Sequence, residues 1–497
     1  MAGQPNHESA RPLPALLARL LPTRVPPPDA ASASEARPSV GAAPDSSGDS
    51  VSRWIAPSVL IGVVAGLGAV ALFGLLHVCS ELILEHIAGY HPYRTAAEGG
   101  PRDMSWSERP WAVPLVAGGG ALVATLLAVW LAPEARGHGT DAAIDTAHHD
   151  PAGMRGRVPV VKLIASALTI GSGGSGGTEG PAAQISAGFG SVIARRTGMS
   201  HEQARTAVVI GLAAGVGAIF RAPLGAALLG AEILYRRGMD TRILPQALIA
   251  SCAGWLTFGC CYGFDPMLGH GATDVSWAAS DFALLAATGV LCGLTGRLYT
   301  SAFYAVHLRT EAHVRSLPAR IAAPVAAALL VGLLGLVVPG VPGTGYGLIQ
   351  ALTDRDTAAD FPLLLLALMP LAKIAATALT VGSGGSGGIF GPCMVVGAGV
   401  GAFAWHVGVD LHAASTGPLP YVVVGMAACL GPVANSPIGV LIMATEMVGD
   451  AALLGPGLLA VLCASTVTGH TTLYRSQRET PVPPTKPSPP DPNSPPK

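Results

Sequence analysis

Apolar residues run through this chain in long blocks broken by short polar stretches and by glycine and proline, and the spacing of those breaks is its main structural signal. Blocks 55–79 and 111–132 are each long enough to cross the roughly 30 Å hydrocarbon core of a bilayer as helices. Further long apolar stretches lie at 244–261, 282–306, 321–339, 361–381 and 453–468. Between them sit segments too short, or too interrupted by Gly and Pro, to span alone: 158–170, 181–194, 207–220 and 222–234, then 392–407, 421–433 and 437–448. Irregular backbone is tolerated at membrane depth only around a cavity or inside protein. Paired interrupted segments in two halves therefore predict a transport site near the midplane. The ends read differently. Residues 1–50, rich in Pro, Ala and Ser, and 479–497, rich in Pro and Ser, predict disordered tails flanking a membrane domain at 51–478. The apolar patch 13–21 is below the length of a span.

The interrupted segments are duplicated. GSGGSGGTEGP at 171–181 returns as GSGGSGGIFGP at 382–392, an offset of 211 residues, and Lys162, Ala167, Leu168 and Thr169 pair with Lys373, Ala378, Leu379 and Thr380 in the same register. At an offset of 214, Gly211, Pro223, Gly225 and Glu232 return as Gly425, Pro437, Gly439 and Glu446. Two halves of one design, about 51–240 and 241–478, leave a pseudo-two-fold site between them.

Composition sharpens this into a membrane protein. Half of the 497 residues are hydrophobic, 12% are charged and the mean hydropathy is +0.49. A net charge of −1 without a long charged run speaks against nucleic acid as a partner. The eight cysteines lie in or beside apolar stretches without metal-ligand spacing and read as small buried hydrophobes. No secretory leader pattern opens the chain, so insertion is expected to use the internal segments. Asp145, His148, His149 and Asp150 have metal-ligand letters but no recognised spacing, and no metal site is assigned. No Ser, His and acid form a hydrolytic motif, so the chain does not read as an enzyme. The basic runs 235–242 and 307–320 follow apolar segments and suggest cytoplasmic loops, against the competing reading of plain solvated faces.

Each duplicated loop ends in Gly-Pro. Proline suits the first helical position, so helices are expected to start at Pro181 and Pro392. The glycines ahead of them let a ligand approach main-chain N–H groups that carry the helix's partial positive charge, and two such N-termini aimed at one cavity favour an anion. The alternative is that the glycines only allow close helix packing. Both loops also match G-x-G-x-x-G, but the flanking parallel-sheet unit and the acidic ribose partner of a dinucleotide-binding enzyme are missing. Glu179 is the one carboxylate in these loops, and its repeat partner is Phe390. A carboxylate that competes with an anion for its seat makes a gate sensitive to pH and anion concentration; the competing reading is a helix-start carboxylate that only complements the dipole.

On these residues the chain resembles the CLC family of chloride channels and proton-coupled chloride transporters, over about residues 55–478. GTEGP at 177–181 is similar to the family's G-(Lys/Arg)-E-G-P element and GIFGP at 388–392 to its G-x-F-x-P element. FRAPLGAALLGAE at 220–232 and NSPIGVLIMATE at 435–446 also match. The resemblance implies an all-α inverted-repeat bundle of spanning and half-spanning helices, multi-pass in the cell membrane with both termini cytoplasmic. It also implies a voltage-gated chloride channel type of homodimer with one pathway per subunit, no cofactor, and chloride as substrate. It assigns gating to Glu179 and the anion's cradle to main-chain amides around Gly180, Ile389, Phe390 and Gly391. Tyr474, in LYRSQ, matches the tyrosine whose hydroxyl meets the central anion. Lys162 matches a buried basic residue that raises the potential there; the alternative is a lysine snorkelling to the interface.

The chain departs from the family pattern in three places. GHGTD at 137–141 stands where G-S-G-x-P is usual, so His138 replaces the serine that meets the anion, unless its ring turns away into packing. Ile233 occupies the position of the transporters' proton-relay glutamate, next to Glu232, and cannot carry a proton; Glu232 and its repeat partner Glu446 read as structural helix-end carboxylates. Thr178 replaces the basic residue of the gating motif and removes a positive charge from the outer mouth. The missing relay carboxylate at position 233 favours a glutamate-gated chloride channel over a proton/chloride antiporter, and Tyr474 with the GTEGP element leaves a fluoride exporter as a less favoured third reading. No regulatory domain is expected after Tyr474.

Overall fold

The structure, a computed structural model, describes residues 47–98, 104–105, 107–269, 277–338 and 340–481. The tails expected at 1–50 and 479–497, and the patch 13–21, fall almost wholly outside the described residues. The described residues form helices joined by loops, with three isolated β-bridges. In chain order the first half holds α1 (Ser47–Cys79), continued by a π-helical stretch (Ser80–Ile87), α2 (Ala112–Leu131), α3 (Gly139–His149), α4 (Arg157–Gly171), α5 (Glu179–Arg196), α6 (His201–Phe220), α7 (Pro223–Glu232) and α8 (Leu244–Tyr262). The second half holds α9 (Ala279–His313), α10 (Leu317–Gly335), α11 (Tyr346–Thr353), α12 (Arg355–Asp360), α13 (Leu363–Gly382), α14 (Phe390–Asp410), α15 (Pro418–Ala434), α16 (Pro437–Val448) and α17 (Leu454–Thr468). From Gly48 on, the described residues form one compact unit.

Nine described helical segments are long and apolar enough to cross a membrane. Two of them, α6 and α14, correct the expectation that 207–220 and 392–407 are too short. The polar start His201-Glu202-Gln203 disguises the first turn of α6, which Ser200 and Gln203 cap reciprocally, and α14 continues through His406 to Asp410. The cysteine expectation is corrected in part. Cys79, Cys292, Cys393 and Cys429 are buried, whereas Cys252, Cys260 and Cys261 are exposed on α8 and Cys463 is half-exposed on α17. An apolar stretch facing lipid or a partner exposes its cysteines as readily as its leucines.

Small residues set the packing. Along α5 against α6, a β-carbon on Gly190 would come within 2.3 Å of the Ala207 carbonyl oxygen; along α14 against α15, one on the equivalent Gly401 would come within 2.1 Å of the Tyr421 oxygen. Close backbone approach is thus the reason for these two glycines. Helix ends repeat as well. Arg221 and Asn435, paired at the 214 offset, close α6 and α15 in the left-handed conformation (φ 56° and 55°). Asn tolerates that region, while Arg221 is held there by its guanidinium, which donates to the Asp265 and Tyr262 carbonyls at 2.7 and 2.8 Å.

Candidate functional site

The two duplicated loops meet face to face. Gly177 and Gly388 exchange N–H···O=C bonds of 2.8 Å in both directions. Around that bridge the side-chain bonds repeat too: Ser166 pairs with Ser386 at 2.9 Å, and their counterparts Thr377 and Ser175 pair at 2.9 Å. The Gly176 N–H reaches the Gly343 carbonyl and the Gly387 N–H reaches the Gly137 carbonyl, both at 3.4 Å. Gly137 and Gly343 open the equivalent turns Gly137-His138-Gly139 and Gly343-Thr344-Gly345, each with φ +68° at its first glycine. Beneath each turn lies a fully buried lysine. Lys162 donates to the Ala135 and Gly137 carbonyls at 3.1 and 2.6 Å, and Lys373 to those of Gly340, Val341 and Gly343 at 3.2, 3.0 and 2.9 Å. Lys162 therefore does not snorkel: its charge sits under the turn that carries His138.

The helices α5 and α14 start at Glu179 and Phe390, two residues earlier than expected from the prolines. Pro181 and Pro392 occupy the first turn, where a missing N–H leaves no bond unmade. The Glu179 side chain is buried and reaches the other half. One carboxylate oxygen accepts from the Gly391 N–H at 3.0 Å, in the first turn of α14, and the other accepts from the Thr178 hydroxyl at 3.2 Å. Gly180 lies against the second loop and the start of α3, where a β-carbon would meet the Gly388 Cα at 2.9 Å, the Gly139 nitrogen at 3.3 Å and the Thr140 hydroxyl at 3.5 Å. The Ile389 carbonyl accepts from the Tyr299 hydroxyl at 2.6 Å; the Phe390 ring packs 5.9 Å from Phe220.

Tyr474 reaches the same region from the extended segment after α17. Val433 and Tyr304 bind the backbone of Leu473 at 2.7 and 2.9 Å, Asp141 accepts from the Ser476 N–H at 2.9 Å, and Gln477 donates to the Ile233 and Ala434 carbonyls at 2.9 Å each. Held this way, the Tyr474 hydroxyl is fully buried, with the Thr140 side chain as a polar neighbour but no hydrogen bond of ordinary geometry. His138 lies 6.1 Å away ring to ring, its Nδ1 buried and unpaired. It also packs edge-on against Phe303 at 5.4 Å, so packing and access to the site coexist. Phe303 in turn stacks on His307 at 5.6 Å, which lines a cavity of about 490 Å³ together with Arg136, Glu311 and Arg320.

The other candidates separate from this cluster. Ile233 is buried at the end of α7. Glu232 accepts from the Gly439 N–H at 2.8 Å, and Glu446 from the Leu224 and Gly225 N–H groups at 3.1 and 2.7 Å, so each caps the N-terminus of the other half's helix. His148 is engaged with the Leu234 carbonyl at 3.0 Å and His149 with Asp145 at 2.9 Å; among the described residues no cluster of three metal-ligating side chains occurs. Sequence reasoning missed two contributors. Lys373 was visible as the repeat partner of Lys162. Tyr346, buried beside Gly391, follows the Gly-x-Gly turn whose offset of 206 residues neither repeat register covers.

The profile of the family described as voltage gated chloride channel matches residues 119–469. The voltage-gated ClC-type chloride channel ClcB of Shigella flexneri is 30% identical over 313 residues, 63% of this chain and 72% of that protein, and the ClcB of Escherichia coli (strain K12 / DH10B) matches to the same extent. Two crystal structures share the fold. A slow cyanobacterial Cl⁻/H⁺ antiporter has a TM-score of 0.71 at 20% identity, covering 85% of this chain and 96% of that one. A CLC-type fluoride/proton antiporter has a TM-score of 0.72 at 19% identity, covering 88% and 100%.

Proposed function

The chain belongs to the voltage gated chloride channel family, a family of membrane channels and transporters rather than enzymes, and from that premise we propose that it conducts chloride through a pathway gated by Glu179. One observation carries this reading: a carboxylate of the first half seated on the Gly391 amide of the second, at a helix N-terminus suited to an anion. The chain's own anion occupies the seat. Chloride enters when Glu179 swings out or takes a proton and loses the charge that holds it there. Main-chain amides around Gly180, Ile389, Phe390 and Gly391, with the Tyr474 hydroxyl and His138, replace part of the ion's hydration shell. Lys162 and Lys373 supply buried positive potential, and Arg136 and Arg320 draw anions into the cavity that His307 lines.

Passive conduction is favoured because Ile233 has no proton to give and Glu232 is committed to capping α16. A specific observation supports a second reading, proton/chloride exchange: the ring series His138, Phe303 and His307 runs from beside Tyr474 to the cavity and offers imidazoles where the relay carboxylate is absent. His138→Ser separates the two. Under the channel reading it shifts anion preference a few-fold; under exchange it uncouples protons from chloride.

We further propose a homodimer with one pathway in each subunit, because the two halves of a single chain already bring both duplicated loops together. Exposed Leu224, Leu256, Ile438, Leu458 and Leu462 on α7, α8, α16 and α17 offer an apolar face for the second copy. The basic loop around Arg236 pairs with the chain at Arg478 and Glu479, which supports cytoplasmic placement of that end, and we place both termini there. The test of the gate is chloride efflux from liposomes. Glu179→Gln is expected to raise flux at neutral pH and flatten its rise on acidification; unchanged flux and pH dependence would remove Glu179 from the gate.

A further inference from the structure

The geometry points to Tyr346 as a second hydroxyl ligand of the anion pathway, one that donates to the anion at the N-terminus of α14 once Glu179 vacates that seat. This rests on the anion-conducting reading above. Tyr346 is 2% exposed and its hydroxyl has no hydrogen-bond partner. Buried hydroxyls are nearly always paired, so an orphan aimed at a ligand seat calls for a ligand. The aim is defined by Gly391. A β-carbon placed there would lie 1.9 Å from the Tyr346 hydroxyl and 2.7 Å from a Glu179 carboxylate oxygen, so both oxygens crowd the space over one glycine whose N–H already binds Glu179. Only glycine leaves that space open.

The ring is fixed from both sides. Phe220 packs edge-on at 5.9 Å, and Gly345, at φ +85°, turns the chain so that Tyr346 opens α11. A β-carbon on Gly345 would lie 3.2 Å from the Lys373 ammonium, so the buried positive charge sits one residue behind the tyrosine. The other half repeats the device with a shorter side chain. Thr140, at the position equivalent to Tyr346, holds its hydroxyl 3.5 Å from a β-carbon placed on Gly180, the repeat partner of Gly391. Each helix N-terminus that faces the pathway therefore has one hydroxyl over its glycine. With Glu179 withdrawn, the seat at Gly391 offers an amide and a phenol as donors, a set suited to a small monovalent anion such as chloride.

Chloride titration calorimetry on the purified full-length chain tests this in the Glu179→Ala background, where no carboxylate competes. Adding Tyr346→Phe is expected to weaken chloride binding about tenfold, the loss of one hydrogen bond to an ion. Unchanged affinity would overturn the role of Tyr346 while leaving the conduction reading intact. Failure of the Glu179→Ala protein to bind chloride at all would overturn both. A second measurement needs no change at Tyr346: anomalous scattering from bromide in crystals of the Glu179→Ala protein. A bromide within hydrogen-bond reach of the Tyr346 hydroxyl supports the assignment; bromide beside Tyr474 with none over Gly391 refutes it.

Discussion

The loop before α5 and the loop before α14 have nearly the same letters and nearly the same bonds, yet one carries Thr178-Glu179 where the other carries Ile389-Phe390. Everything that builds the frame is duplicated: the reciprocal glycine bridge, the hydroxyl pairs Ser166–Ser386 and Ser175–Thr377, and the buried lysines beneath equivalent turns. What differs is the chemistry each half brings to the meeting point. The first half contributes a carboxylate, an imidazole and a threonine; the second contributes an aromatic ring, the threonine Thr344 and the tyrosine Tyr346. Symmetric bonding suits a frame, because each half satisfies the other's buried polar groups. An anion path needs a direction, and direction requires the two ends of the site to be chemically unlike.

The strongest way to break the comparison is to make the loops alike in charge. Phe390→Glu places a second carboxylate at the start of α14, beside Glu179. Two anions in one buried seat repel each other and chloride, so flux at neutral pH should fall at least about tenfold, with partial recovery on acidification. Undiminished flux would mean that position 390 does not face the path. The frame itself is probed by Lys162→Met and Lys373→Met. Each strips donors from buried carbonyls at equivalent turns, and each should lower stability by at least about 2 kcal/mol, read as an earlier thermal transition in detergent. Lys373→Met should cost more, since it abandons three carbonyls rather than two. A loss confined to one of the pair would contradict a shared structural role. The smallest effect belongs to the reciprocal caps: Glu232→Gln and Glu446→Gln should each cost about 1 kcal/mol without altering chloride flux or its pH dependence. A changed pH dependence in Glu232→Gln alone would give that carboxylate a proton-carrying role.

Much of this was legible from the chain alone, for physical reasons that also explain what was not. The duplicated glycine loops were legible because backbone approach at a helix N-terminus tolerates so few side chains that the letters themselves repeat. Lengths were less legible: α6 and α14 are full-length helices whose polar or charged ends hide their extent, since an apolar count stops where the helix does not. Exposure was illegible for Cys252, Cys260 and Cys261, because lipid-facing and buried positions share one composition. Tyr346 escaped for a different reason. Its turn repeats only as Gly-x-Gly, and the residue that matters, Thr140 in one half and Tyr346 in the other, is where the halves diverge.

The central claim, that Glu179 gates a passive chloride path, is tested most directly by chloride efflux from liposomes carrying the purified protein, with external pH recorded while the membrane potential is clamped by an ionophore. The account expects rapid chloride flux that quickens as pH falls, loses that pH dependence in Glu179→Ala, and drives no uphill movement of protons. Chloride-driven uphill proton movement that disappears in Glu179→Ala would contradict it and establish an exchanger with a proton route around Ile233.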